Sequence, residues 1–209
     1  MTQGRFLSLE GGEGAGKSTQ ARAIAAALAE RGIRAVVTRE PGGSEGAEAI
    51  RDLLLHGPAA RWSPHTEALL FAAARADHVE KVIRPALGAG QWVICDRFVD
   101  STRAYQGVAG GIDDAAVLAL HGFGSRGLLP DRTYLLALSP EDGAARAMGR
   151  DGIAADRFAL RDGTFHAAVA AAFDRFAAAE PQRFRRIAAD RPAEEVTRAI
   201  LDDLAPWLA

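Results

Sequence analysis

The chain of 209 residues contains one cysteine, two methionines and two lysines. A single cysteine, Cys95, excludes an internal disulfide and a four-cysteine zinc site. It follows Val93 and Ile94, a setting that suits a buried strand residue better than a reactive thiol. No apolar run is long enough to cross a bilayer. The first one, Phe6 to Leu9, is too short for a secretory leader and runs into a glycine-rich loop. The cytoplasm is therefore the expected compartment. A net charge of −2 argues against the broad basic field of a duplex-DNA binder. No N-K-x-D segment is present, which argues against a guanine-reading switch. There is no internal repeat, low-complexity tract or long linker, so residues 1–209 are expected to form one domain. Hydrophobic residues make up 48% and charged residues 25%, which is ordinary for a globular protein.

With only two lysines available, the position of Lys17 carries information. Gly11 to Ser18 fits the P-loop pattern G-x-x-x-x-G-K-[ST] at every fixed position. Its glycines let successive N–H groups converge on an anion, and a helix starting near Gly16 adds its positive end. Lys17 supplies a mobile charge for the outer phosphates, and the Ser18 hydroxyl suits Mg²⁺. Gly11, Gly12, Glu13, Gly14, Ala15, Gly16, Lys17, Ser18 and Thr19 are thus the expected triphosphate site.

Short apolar runs alternate with helical patterns along the rest of the chain. Strands are expected at Arg5–Glu10, Ala35–Val37, Gln91–Cys95, Thr133–Leu138 and, more weakly, Phe184–Ala188. Helices are expected at Lys17–Arg31, Glu45–His56 and Pro64–Leu87, the last with a bend at Pro85. Others are expected at Asp113–His121, Pro140–Met148, Phe165–Glu180 and Ala193–Leu208. Ser44 and Ser63 are candidate caps, and Glu67 completes a capping-box spacing with Ser63. Residues 149–159 mix Arg, Asp and Gly without periodicity, as a mobile loop would. The alternation implies an α/β protein with a parallel sheet covered by helices on both faces. Asp96 closes one strand, where an aspartate beside a P-loop helps hold Mg²⁺. Arg39 and Arg97 follow strand ends, facing the crevice in which open α/β sheets bind ligands. Arg75 stands four residues after Phe71, on the same helix face.

Four segments resemble the thymidylate kinase family: Thr38–Gly43 (T-R-E-P-G-G), Phe71–Arg75, Asp96–Phe98 and Asp100–Gly107 (D-S-T-R-A-Y-Q-G). They occur in the family's order and spacing, so the resemblance spans nearly the whole chain. It implies the three-layer nucleoside-monophosphate kinase fold, with a five-stranded parallel sheet and a lid near 149–159. It also implies transfer of the ATP γ-phosphate to dTMP with magnesium, and a homodimer. By the family's pattern Phe71 stacks on thymine, and Arg75 bonds its edge with Thr102 assisting. Arg39 and Arg97 hold the acceptor phosphate. Tyr105 lies where a 2′-hydroxyl would sit, and Ser101 and Gln106 belong to the same pocket. Glu13 lies near the sugar 3′-hydroxyl and the metal.

The loop itself offers no arginine, since its variable positions are Gly12, Glu13, Gly14 and Ala15. A cation over the transferring group is therefore expected from the lid, as in the bacterial members of the family. Arg150 and Arg157 are the candidates, and Arg157 is preferred because Asp156-Arg157 matches best. Two other readings stay open: a kinase of another nucleoside monophosphate or nucleoside on the same fold, and a non-catalytic nucleotide-binding regulator. Leu69, Leu70, Val79 and Val82 leave the long helix apolar on more than one side, which fits a core on one face and a partner copy on the other.

Overall fold

The computed structural model describes residues 4–58, 60–148, 157–158 and 160–208. Their strands form one parallel sheet of β1 (Phe6–Glu10), β2 (Ala35–Arg39), β3 (Trp92–Asp96), β4 (Arg132–Ala137) and β5 (Phe184–Ala188). The strand order is β2-β3-β1-β4-β5. β1 is buried along its whole length and pairs with β3 on one side and β4 on the other. The chain leaves β1 for the far edge, returns to β3, then crosses to β4. The carboxyl ends of β1 and β3 therefore open together into one crevice, where such sheets bind ligands.

Alternation along the strands feeds two layers. Leu7, Leu9, Trp92 and Ile94 pack with α1 (Lys17–Ala29) and α9 (Ala193–Leu208). Phe6, Val93 and Cys95 face the opposite side, against Val79, Ile83 and Phe98. On that second side Leu135 meets Val169, Phe173 and Phe176 of α8 (Gly163–Ala179). The remaining helices among the described residues are α2 (Glu45–Leu55), α3 (Pro64–His78), α4 (Arg84–Gly88), α5 (Val99–Thr102), α6 (Asp114–Ser125) and α7 (Pro140–Met148).

The expected elements are present, most within one or two residues of their expected ends, with three differences. First, the long helix is not uniform. Residues Val79–Ile83 widen into a π-helical turn between α3 and α4. Pro85 has no N–H and would clash with the carbonyl four residues earlier; the wider turn accommodates it, with the Arg84 N–H donating to the Val79 carbonyl. Second, residues 99–108, which carry no clear apolar period, are helical: α5 runs into a second π-helical turn, Arg103–Val108. Irregular turns of this kind escape a 3.6-residue period and cluster at functional sites.

The third difference is Glu67. Ser63 does cap α3, its hydroxyl accepting from the Thr66 N–H at 3.2 Å. Glu67 is buried, and its carboxylate bonds Arg157 and Gln106. It serves the interior instead of closing the cap. The segment 99–108 is tied to the rear of the sheet by another buried carboxylate, Asp100. Asp100 accepts from Arg103 Nη1 at 3.0 Å and from both terminal nitrogens of Arg183, at 2.5 and 2.9 Å. Among the described residues no helix is long and apolar enough to cross a membrane.

Candidate active site

The loop between β1 and α1 turns through left-handed glycines. A side chain at Gly14 (φ 70°) would place its Cβ 2.1 Å from the Gly143 carbonyl oxygen, so only glycine fits there. Gly16 (φ 89°) caps α1 in the left-handed region and leaves the first N–H groups of the helix open. Lys17 folds back over the loop, its Nζ donating to the Gly12 carbonyl at 2.7 Å and the Gly11 carbonyl at 3.2 Å. Burial, helped by the charge of Arg97, lowers its pKa. Ser18 donates to Asp96 Oδ2 at 2.5 Å, which joins the first turn of α1 to the end of β3. Thr19, also expected at the triphosphate, sits exposed on the same turn.

Directly after Asp96 the chain makes a turn that costs conformational energy. Arg97 has φ 70°, a region sparsely populated by non-glycine residues. Its N–H is anchored on the Leu9 carbonyl at 2.9 Å. The guanidinium donates to the Gly11 carbonyl (3.0 Å), Ser101 Oγ (3.1 Å) and Glu13 Oε1 (2.5 Å). Behind this turn stands Glu10, the last residue of β1 and fully buried. One of its oxygens accepts from the Phe98 N–H at 2.8 Å and the other from Ser101 Oγ at 2.6 Å. Desolvation, and then repulsion from Asp100, push the Glu10 carboxyl up to about 7.

A second buried carboxylate, Glu40, follows β2. It accepts from Arg75 Nε at 2.7 Å and pairs with His78 Nδ1 at 3.1 Å. The other nitrogen of His78 meets Thr38 Oγ1 at 2.7 Å, and Gly43 packs so close that a Cβ there would lie 2.4 Å from both of those atoms. Arg75 also donates to Thr102 Oγ1 at 2.8 Å. Arg39 is half exposed and pairs with Glu48 of α2 at 3.1 Å. Burial opposes ionisation of Glu48, but the Gly43 N–H and Arg39 outweigh it and hold its carboxyl below the usual range.

These groups surround a cavity of about 280 Å³. Lys17, Ser18, Asp96, Arg97 and Glu13 stand on its wall, together with Arg39, Phe71, Arg75, Ser101, Thr102, Tyr105 and Gln106. The ring of Tyr105 lies 5.2 Å from the Arg97 guanidinium. Its hydroxyl is buried with no hydrogen-bond partner among the described residues. Desolvation raises the phenol to about 12, so it stays neutral. Gln106 donates to Glu67 at 3.3 Å.

The two expected lid arginines have different outcomes. Arg150 lies outside the described residues. Arg157 is buried: it donates to the Leu54 carbonyl at 2.5 Å and forms an ion pair with Glu67. It is absent from the described cavity wall, so the expectation that it reaches over a transferring phosphate is not met in this conformation. Glu40, Arg51 and Phe158 on the cavity wall, and Glu10 and Glu67 behind it, were not among the expected site residues. For Glu67 a signal exists, because positions 67, 71 and 75 recur every four residues on one face of α3.

A P-loop and an arginine-lined second pocket opening into one crevice of a parallel sheet define a P-loop kinase that acts on a small phosphorylated acceptor. The profile of the family described as thymidylate kinase matches residues 9–200. The chain belongs to the thymidylate kinase family. It is 59% identical over 206 residues to a thymidylate kinase of Rhizorhabdus wittichii, covering 98% of this chain and 99% of that one. It is 52% identical over 202 residues to a thymidylate kinase of Caulobacter vibrioides, covering 97% and 96%. Among solved structures it resembles the thymidylate kinase of Ehrlichia chaffeensis, with a TM-score of 0.77 and 30% identity, covering 96% of this chain and 98% of that one.

The raised Glu10 carboxyl has a measurable consequence. Its ordinary value is 4.5 and its folded value is about 7, so the native state binds more protons than the unfolded state between those values. The corresponding stability is fully present below pH 4.5 and is lost as pH rises through about 7. Urea unfolding of Glu10→Gln relative to the parent therefore changes with pH, the parent losing about 2–3 kcal/mol more than the variant between pH 4.5 and 8. Parallel stability curves for the two proteins would contradict this.

Proposed function

We infer that this protein transfers the γ-phosphoryl group of ATP to dTMP, giving dTDP and ADP. The observation that carries the reading is one cavity lined both by the phosphate-binding loop and by an aromatic-walled pocket with four arginines, Arg39, Arg51, Arg75 and Arg97. Family membership names the acceptor.

The donor triphosphate is cradled by the loop N–H groups and neutralised by Lys17. Ser18 and Asp96 offer hydroxyl and carboxylate oxygens side by side, the donor type a hard divalent cation takes. No cluster of three or more His, Cys, Asp or Glu side chains that could hold a metal occurs among the described residues. Mg²⁺ takes few protein ligands and the rest from phosphates and water. When bound, the ion neutralises charge on the donor oxygens. Arg39 and Arg97 hold the acceptor phosphate, with Ser101 and Glu13 fixing the Arg97 fork. Glu13 also faces the sugar 3′-hydroxyl and the metal. Phe71 stacks on the thymine ring, and Arg75, steadied by Glu40 and Thr102, bonds its edge. Tyr105 fills the space of a 2′-hydroxyl, and Gln106 completes the pocket.

An acceptor phosphate oxygen then attacks the γ-phosphorus in line. The bond to the ADP oxygen breaks, and no covalent enzyme intermediate is needed. With Arg157 paired to Glu67, the cation over the transferring group is assigned to Arg150.

The chain works as a homodimer through α3 and α6. Leu69 is 56% exposed and Phe123 is 91% exposed on these two helices. Val79, another of the apolar residues of the long helix, is in the core. Sedimentation is expected to give twice the chain mass, and a single-chain mass would refute the dimer. For the activity itself, ADP release with ATP and magnesium is measured against dTMP, dUMP, UMP, CMP and AMP. dTMP is expected to exceed the ribonucleotides in kcat/KM by at least about a hundredfold. A preference for AMP or CMP would refute the reading.

A further inference from the structure

Phe158 is buried and lines the cavity beside Phe71 and Tyr105. Its ring centroid lies 5.7 Å from that of Phe71, tilted by 56°, and 6.3 Å from that of Tyr105, edge-on at 81°. The residue before it is locked. Arg157 is 2% exposed, bonds the Leu54 carbonyl, pairs with Glu67, and lies 4.8 Å from the Phe158 ring. The other Glu67 oxygen accepts from Gln106, and Arg161 approaches within 3.6 Å. One carboxylate on α3 therefore gathers Arg157, Arg161 and Gln106. It does so one helical turn before Phe71, on the same face.

A buried ion pair of this kind is costly to form and contributes little net stability, but it fixes geometry. Here the geometry it fixes is the position of an aromatic ring against two others. The Phe158 ring stands against both Phe71 and Tyr105, so it bridges the two rings on the cavity wall and takes up space beside Phe71.

We propose that Phe158 is a specificity-determining residue: it forms the end wall of the acceptor-base pocket, admitting a single-ring pyrimidine and rejecting a bicyclic purine. Glu67 and Arg157 are positioning residues that act through it. This rests on the reading of the cavity as a nucleoside-monophosphate acceptor site.

The test is steady-state kinetics of the full-length enzyme and of Phe158→Ala, Phe158→Leu and Glu67→Gln, with dTMP and dGMP as acceptors at saturating ATP and magnesium. Truncating one wall of an apolar pocket changes discrimination by about ten- to two-hundredfold. Phe158→Ala is expected to raise KM for dTMP by about tenfold and to raise the dGMP-to-dTMP ratio of kcat/KM by a similar factor. Phe158→Leu keeps more of the wall and is expected to fall between, which preserves the test if the alanine variant does not fold. Glu67→Gln is expected to raise KM for dTMP while holding kcat. A fall in kcat alone would overturn its positioning role. If the parent prefers dTMP but folded Phe158 variants keep its KM and its base discrimination, this inference fails alone. If the parent itself is indifferent to the acceptor base, the functional reading fails first and this inference with it.

Discussion

Buried carboxyl groups organise the side of the cavity away from the phosphate-binding loop. Taking an ionised carboxylate out of water costs several kcal/mol unless it is paired and hydrogen-bonded. Glu10, Glu40 and Glu67 are all buried; Glu40 and Glu67 meet that requirement with arginines, while Glu10 accepts two hydrogen bonds and has its carboxyl pushed up to about 7. Glu10 holds the Phe98–Ser101 turn, and through it Arg97. Glu40 holds Arg75 and His78. Glu67 holds Gln106 and Arg157. Asp100 extends the scheme to the rear, where Arg103 and Arg183 anchor the helical stretch that carries Tyr105 and Gln106. Arg75, Arg97, Ser101 and Gln106 on the cavity wall are thus held by carboxyl groups that the solvent does not reach.

That arrangement suits phosphoryl transfer. The reaction brings two polyanions together, and the protein contributes placement and charge neutralisation more than covalent chemistry. Side chains already held by buried partners need little reorganisation when the anions arrive, which is how preorganised electrostatics lowers a barrier. The strained φ of Arg97 fits the same logic. Glu10, the Leu9 carbonyl and the loop over-determine that turn, so the strain persists at a guanidinium on the cavity wall.

Much of this was legible in the sequence, for identifiable reasons. The strands announce themselves by short apolar runs between glycine-rich turns. The loop at Gly11–Ser18 is fixed by backbone needs that only glycine meets, so its residues can be read directly. The stretch Asp100–Gly107 was recognisable as a word, but not as a helix, because its π-helical turn breaks the usual period. The buried carboxylates were harder. Glu10 reads as the polar end of a strand, Glu40 as one letter of a turn, and Glu67 as a capping residue. Nothing local separates a solvated glutamate from a buried one. Only the tertiary fold brings Arg157 to Glu67 across 90 residues of sequence. The same long-range contact holds Arg157 in the interior, a placement that its position in the lid segment does not announce.

The claim that buried carboxylates preorganise the acceptor pocket is tested most directly at Glu40, whose two oxygens hold Arg75 and His78 without forming part of the phosphate-binding loop. Equilibrium titration of Glu40→Gln with dTMP, and separately with an ATP analogue, separates the two halves of the site. The account predicts dTMP affinity reduced by about tenfold or more, as when a charged hydrogen-bond partner is removed, with ATP-analogue affinity unchanged. Unchanged dTMP affinity in a folded Glu40→Gln protein would contradict it.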